Sequence, residues 1–130
     1  MKKSFFNLIE RTTEEVIFKK NDDYIAPKEG TSVVFNYHSD IINRTEKQAT
    51  IKFTFILFSE ETLKNSPFYL SITEKGTFEW NEETDEDTIN NLLEVNAPSI
   101  LLSYMRSTIS HLTAYSGYPA LIVPLFNFNK

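Results

Sequence analysis

Residues 96–128 read NAPSILLSYMRSTISHLTAYSGYPALIVPLFNF, and this stretch decides the fold. Across Leu101–Tyr115, side chains recur at alternating intervals of four and three residues, the spacing of one face of an α-helix. Gly117 suits the left-handed conformation with which many helices end. The sequence therefore predicts a long helix over residues 97–116, followed by an aromatic tail over residues 117–130.

The start of this helix is marked by Asn96, which can act as N-cap, and by Pro98 in the first turn, where a missing N–H does no harm. Residues 100–105 are largely apolar on all sides, and a four-stranded sheet offers only one face to cover them. Self-association is the simplest way to bury the remainder. The residues predicted at a subunit interface are Leu101, Tyr104, Met105, Thr108 and Leu112.

Residues 1–80 contain four segments with the composition and alternation of strands. Residues 48–58 (QATIKFTFILF) alternate most regularly and place Ile51, Phe53 and Phe55 on the same side as Leu57. Because the segments are consecutive and spaced as hairpins, they predict an antiparallel sheet. The other three predicted strands are residues 4–20, 32–42 and 68–80.

Three irregularities interrupt these strands. We expect a bend or bulge near residues 12–15, although a short helix over residues 4–10 is an alternative for the start of that strand. Gly76 predicts a second bulge. Ile56 and Phe58 make the other side of the third strand apolar at its far end, so another surface should cover that corner.

Residues 81–87 (NEETDED) form the densest charge run. They lack the spacing of a calcium-binding loop. A solvated turn fits better, with Thr84 and the acidic side chains capping a short helix over residues 85–95 and interacting favourably with its N-terminus.

The chain has 130 residues, 41% of them hydrophobic, so we expect one globular domain over residues 1–130. The formal charge of −5 and the absence of long Lys/Arg runs argue against nucleic acid as a partner. No segment has the roughly 18–20 apolar residues of a membrane span. The apolar start ends at Ile9, too early for a secretory signal, and there is no cysteine. We therefore expect a soluble cytoplasmic protein without membrane insertion.

The groups that catalysis requires are missing from the sequence. His38 and His111 are isolated, and Ser110 points to a different helix face from its neighbour His111. With three glycines, a phosphate-binding loop is excluded. No carboxylate pair lies in an apolar setting that would shift a pKa for acid–base chemistry. We expect no enzyme activity, no metal site and no cofactor.

Several short motifs after Thr88 have a joint spacing that is fairly specific. They are Asn96-Ala97-Pro98, Ile100-Leu101, Tyr104-x-Arg106, Ile109, Tyr118-Pro119-x-Leu121 and Asn127-Phe128, with looser upstream agreement at Phe68-x-x-x-Ile72-x-x-x-Gly76-x-Phe78. In these motifs the chain resembles the SecB protein-export chaperone family. The resemblance implies an α+β fold, in which a long C-terminal helix packs on one face of a four-stranded antiparallel sheet. It also implies that four copies assemble through the long helices as a homotetramer, a dimer of dimers. Family members hold unfolded polypeptides in an apolar groove without ATP; some deliver them to the SecA motor, and others guard an unstable antitoxin.

The sequence departs from the family pattern at several positions. Ser103 stands where the family usually has proline, and Pro124 falls one place before the family's last proline. The sequence stops at Lys130, where family members continue into a second helix, so that helix is expected to be missing. Lys19 and Ser71 replace acidic residues of the export chaperones, which speaks against binding of a SecA-type motor.

The leading hypothesis is a holdase chaperone, whose groove would use bulky apolar residues from segments that turn-forming residues place at the surface. These predicted client-binding residues are Tyr24, Ile25, Tyr118, Leu121, Phe126 and Phe128. Three alternatives stay open. The same residues could only close a subunit interface, the chain could be a dedicated partner-binding module of a toxin–antitoxin or secretion system, or it could carry a small apolar ligand.

Overall fold

The computed structural model describes residues 5–124 and residue 128. Within them, four strands are followed by a helical region that begins after residue 85. The predicted antiparallel sheet with a long helix on one face is confirmed. In chain order the strands and α-helices are β1 (Phe6–Lys20), β2 (Phe35–Arg44), β3 (Gln48–Leu57), β4 (Phe68–Trp80), α1 (Glu86–Asn91) and α2 (Ala97–Tyr115).

The strands are ordered β1-β4-β3-β2, and all three pairings are antiparallel. Strand β1 thus pairs with β4 and not with β2, which follows it in the chain. Residues 21–34 therefore have to cross from one edge of the sheet to the other, and we call them the crossing loop. Strand β2 begins at Phe35 and not at residue 32 as predicted, because the crossing loop extends further.

Because β3 alternates regularly, its large apolar side chains lie on the side of the sheet that α2 covers. In this layer Phe55 lies opposite Ile72 and Leu57 lies opposite Leu70, and all four side chains are buried. Burying each large apolar side chain contributes about 1.5–3 kcal/mol, which makes this layer the main source of stability. The helix contributes its buried side chains Leu101, Leu102, Met105 and Ile109.

Gly76 allows α2 to approach β4 closely. A Cβ atom at this position would lie 2.8 Å from Leu101 Cδ2, less than any normal contact. The predicted bulge at Gly76 is wrong, since the register of β4 with both neighbouring strands continues through it. Where β1 pairs with β4, the bulges lie in β1 instead, between Leu8 and Glu10 and between Thr13 and Glu15, the second within the predicted region.

The prediction that Asn96 caps α2 is wrong. Asn96 has α-helical angles, φ −73° and ψ −42°, and its side chain makes no capping bond. A wide turn of π-helix over Leu92–Asn96 joins α1 to α2, and Pro98, which has no N–H to donate, follows in the first turn of α2. Helix α1 is capped by Asp85, one of the acidic residues predicted to cap it. The Asp85 carboxylate accepts hydrogen bonds from the hydroxyl and N–H of Thr88, and these bonds lower the pKa of Asp85.

A buried acidic side chain interrupts the apolar layer. Glu74 is 2% exposed and faces the helix side of the sheet, where it accepts hydrogen bonds from Arg11, at 2.5 Å, and from Thr13. The Arg11 guanidinium also lies 4.4 Å from the ring centroid of Tyr104. A carboxylate removed from water needs such partners, so this cluster connects β1, β4 and α2 through polar contacts.

Replacing Gly76 by valine should lower the free energy of unfolding by about 1–3 kcal/mol, because its methyl groups would overlap Leu101. Combined with Leu101→Ala, the loss should be smaller than the sum of the two single losses. Urea unfolding at fixed protein concentration measures this coupling. Lys75→Val, on the opposite face of β4, is the control, and additive losses would contradict the close approach.

Candidate functional site

An apolar cleft opens at the end of the sheet where α2 terminates. It consists of two adjoining cavities of about 450 and 250 Å³, which share Val33 and Leu121 as lining residues. Its walls come from the crossing loop, the end of β3, the start of β4 and the segment after α2, which we call the tail segment (residues 116–124). The main lining residues are Tyr24, Val33, Phe58, Phe68, Tyr118 and Leu121.

The tail segment is folded back against α2 by a buried hydroxyl. Gly117 adopts the predicted left-handed conformation, φ +94°, and reverses the chain. The Thr113 hydroxyl then accepts the N–H of Leu121 at 2.9 Å and donates to the Ile109 carbonyl at 2.9 Å. Thr113 is fully buried, so this pair of bonds determines where the tail segment begins to form the cleft wall.

The opposite wall is held by Asn21 at the end of β1. Its side-chain amide donates to three carbonyls at 3.0–3.1 Å, those of Leu63, Lys64 and Ser66. Its backbone N–H donates to the Pro67 carbonyl at 3.0 Å, and the Tyr118 hydroxyl donates to the same oxygen at 2.9 Å. The connection between β3 and β4 is therefore fastened both to β1 and to the tail segment.

Phe58 forms part of the cleft floor through an unusual backbone conformation. Its φ of +61° lies in the left-handed region, which bulky residues rarely adopt. This turn brings the ring to the helix side, 5.1 Å from the ring of Phe68, and leaves it 7% exposed. Phe58 therefore does not lie on the far side of the sheet, as its place in the alternation predicted.

The cleft offers almost no unsatisfied polar group to a ligand. Among the described residues that line its two cavities, tyrosine is the only ionisable type. The hydroxyls of Tyr24 and Thr31 bond to each other at 2.7 Å, and that of Tyr118 is bonded to Pro67. Such a lining binds uncharged, apolar groups and disfavours charged ones.

The structure brings together part of the predicted client-binding set. Tyr24, Tyr118 and Leu121 line the larger cavity. Ile25 is 88% exposed outside it, and Phe126 lies outside the described residues. Phe128 is buried on the sheet, with ring centroids 4.9 Å from Tyr37 and 5.8 Å from Phe53.

Of the six main lining residues, sequence reasoning missed three: Val33, Phe58 and Phe68. All three fell within predicted strands, where they read as ordinary sheet residues. The signal that could have identified Val33 is the run Val33-Val34-Phe35, since three successive large apolar residues do not alternate.

The predicted interface residues are spread around α2. Leu101 and Met105 are buried in the layer between helix and sheet of the same chain. Thr108 and Leu112 are half-buried, and Tyr104 is 48% exposed. Only the outward part of this set is therefore accessible to a second copy, and an interface role stays a prediction.

The part of the chain that the structure describes contains no group of three or more His, Cys, Asp or Glu side chains placed to hold a metal ion. Within those same residues, no helix has the length and apolar character needed to span a membrane.

Sequence comparison identifies related proteins. The model of the family described as preprotein translocase subunit SecB matches residues 15–130. An uncharacterised protein of Methanocaldococcus jannaschii is 31% identical over 106 residues, which span 78% of this chain and 68% of that protein. The protein-export protein SecB of Anaplasma phagocytophilum is 33% identical over 64 residues, which span 48% of this chain and 40% of the export protein.

The solved structures that share the fold include a chaperone and a protein of unknown function. A SecB-like chaperone of Mycobacterium tuberculosis, in complex with a ChAD peptide from the HigA1 antitoxin, has a TM-score of 0.69 and 11% identity, with coverage of 94% of this chain and 88% of that one. A protein of unknown function from Streptococcus agalactiae has a TM-score of 0.52 and 14% identity, with coverage of 95% and 99%. At these identities the likeness concerns the fold alone.

Thr113→Val preserves the side-chain volume but removes the acceptor for the Leu121 N–H. It should lower the free energy of unfolding by about 1–2 kcal/mol and accelerate hydrogen exchange at Leu121, because the wall loses its anchor. Thr108→Val is the matched control, since the Thr108 hydroxyl has no partner among the described residues. Equal losses in the two variants, measured by urea unfolding, would disprove this anchoring role.

Proposed function

The chain belongs to the SecB family, and we propose that it is a chaperone that holds unfolded polypeptide segments in the apolar cleft without ATP. The observation that carries this proposal is an accessible cleft whose described lining is uncharged and whose polar atoms largely bond to each other. Tyr24, Tyr118 and Leu121 would contact the client. Ile25 would extend the apolar surface beside the cleft, and Phe126 and Phe128 complete the proposed set.

The small apolar surface of the cleft suggests how the protein could hold and release clients without nucleotide. One buried apolar client side chain contributes about 1.5–3 kcal/mol, and ordering the client opposes part of that gain. Each segment would therefore bind weakly and dissociate quickly. Retention of a long unfolded chain would come from several segments and several subunits acting together.

Val33 and Val34 provide a matched test, because only Val33 lines the cleft although both side chains are exposed, at 46% and 61%. Val33→Glu should weaken binding of fluorescently labelled, reduced and carboxymethylated α-lactalbumin about tenfold, since a charge in the uncharged cleft loses hydration. Val34→Glu should bind like the unmodified protein. The same ranking is expected in light-scattering assays of an aggregating client.

Unmodified protein that neither binds this client nor delays aggregation would refute the chaperone proposal. Equal effects of the two valine variants would instead show that clients bind outside the cleft. Transfer to a SecA-type motor is not included, because Lys19 is paired with Glu60 at 2.5 Å and Ser71 is 5% exposed.

A second candidate is a dedicated partner-binding module with a single client. It is favoured by the structural match to a chaperone that was solved with an antitoxin peptide. A general holdase should bind several unfolded proteins of unrelated sequence with similar affinity. Tight binding of one peptide sequence, with none of the others bound, would favour the dedicated module.

We also propose assembly as a homotetramer, a dimer of dimers, through the outward face of α2. Tyr104 and Tyr115 are 48% and 82% exposed on this helix, more apolar surface than a solvated helix face needs.

Tyr104→Glu together with Tyr115→Glu should reduce the molar mass measured by light scattering, because a charged face would oppose association. Ile122→Glu, exposed on the tail segment, is the control and should leave the mass unchanged. An unchanged mass in the double variant would place the contact elsewhere.

A further inference from the structure

A polar cavity lies on the face of the sheet that α2 does not cover, and we call it the polar trough. Its volume is about 260 Å³, and residues from all four strands line it. A row of paired residues crosses the whole sheet here, from Glu10 through Thr77 and Thr50 to Asn43. Among the described residues, none lines both the polar trough and the apolar cleft.

Three bulges account for the way in which opposite edges of the sheet reach one cavity. The edges of a flat four-stranded sheet would lie about 14 Å apart. Strand β1 has bulges after Leu8 and after Thr13, and β2 has a bulge after Ile41. A bulge increases the local twist and redirects side chains. Two of the extra residues that the bulges insert, Glu14 and Ile42, are themselves part of the lining.

The charged side chains of the polar trough are unpaired within the described part of the chain. The side chains of Lys75, Glu10, Glu14 and Asn43 form neither an ion pair nor a hydrogen bond there. Lys75 is also half-buried, so it is partly removed from water without a compensating partner. These four side chains are therefore available to a ligand.

Lys75 in particular lacks an opposite charge on the neighbouring strands. Its row runs from Thr12 on β1 through Lys75 and Lys52 to Asp40 on β2. Lys52 has the Asp40 carboxylate on the next strand, whereas Lys75 has Lys52 on one side and a hydroxyl on the other. Like charges in directly opposite positions destabilise a sheet, so an anionic group bound at Lys75 would offset this cost.

The charges of the polar trough define the ligand that complements them. Glu10 and Glu14 lie two residues to either side of Thr12, and Lys75 lies opposite Thr12. The lining thus carries two carboxylates and one ammonium group, a formal charge of −1. A complementary ligand has two cations, one anion and a charge of +1. A free basic α-amino acid has this set of charges.

We propose that the polar trough binds a free basic α-amino acid, with arginine as the best match. The α-carboxylate binds the Lys75 ammonium, and the α-ammonium and the guanidinium bind Glu10 and Glu14. The planar guanidinium can donate two parallel hydrogen bonds to one carboxylate, which favours arginine over lysine. The aliphatic part of the ligand packs on Ile42. This inference is independent of the chaperone proposal, because the apolar cleft lies elsewhere on the molecule.

Calorimetric titration of the unmodified protein with L-arginine at low ionic strength tests the proposal. We expect saturable binding of one arginine per chain, weakened by added salt because charges dominate it. Citrulline lacks the side-chain charge and agmatine lacks the carboxylate, so each should bind about tenfold more weakly. Absence of saturable arginine binding at millimolar concentration would overturn the proposal, and so would equal binding of either analogue.

Two matched pairs of variants locate the ligand. Glu14→Gln should weaken arginine binding about tenfold and Glu15→Gln should not, because only Glu14 of this pair lines the polar trough. Lys75→Met should likewise weaken binding, whereas Lys52→Met, outside the lining, should leave it unchanged. Equal effects within either pair would overturn the proposal. Urea unfolding verifies that the variants are folded; where one is not, the analogue series with the unmodified protein decides.

Discussion

The contact between Leu101 and the bare Cα of Gly76 sets the distance between helix and sheet. The buried side chains of α2 and those of β3 and β4 that face it lie between these two surfaces, and their packing depends on that distance. The same contact fixes the position of α2 along β4, and hence the point where α2 ends at Tyr115. The positions of the tail segment and of the cleft therefore depend on this contact.

One helix cannot cover a four-stranded sheet. Helix α2 lies mainly over β4 and β3, so the side chains of β2 on the same face need another cover. Leu121, Val123 and Phe128 provide it, with Phe128 between Tyr37 and Phe53. The cleft lies where these residues meet the end of α2, because a segment without regular secondary structure does not fill the corner beside a helix as completely as a second helix would.

The local sequence pattern was sufficient to predict the sheet and the long helix, because apolar residues alternate along β3 and side chains recur at helical spacing over many residues of α2. It failed where a remote segment determines the conformation. Gly76 was predicted to form a bulge because its neighbours in the sequence do not reveal that Leu101 approaches it. Phe58 was predicted on the far side of the sheet because the alternation of β3 does not reveal the left-handed backbone conformation of Phe58. Of the predicted cleft residues, Tyr24, Tyr118 and Leu121 lie together because residues with no place in a core often form surfaces, whereas Ile25 projects from the crossing loop away from them.

The Pro67 carbonyl connects the two walls of the cleft, since it accepts one hydrogen bond from Asn21 and one from Tyr118. A carbonyl oxygen has two lone pairs, and both are occupied here. Giving up the Tyr118 bond alone would cost about 0.5–1.5 kcal/mol, little more than thermal energy, and would leave the sheet untouched. The Tyr118 side chain could thus shift at low cost while Thr113 keeps the tail segment in place, and client side chains of different bulk could be admitted by the same folded molecule.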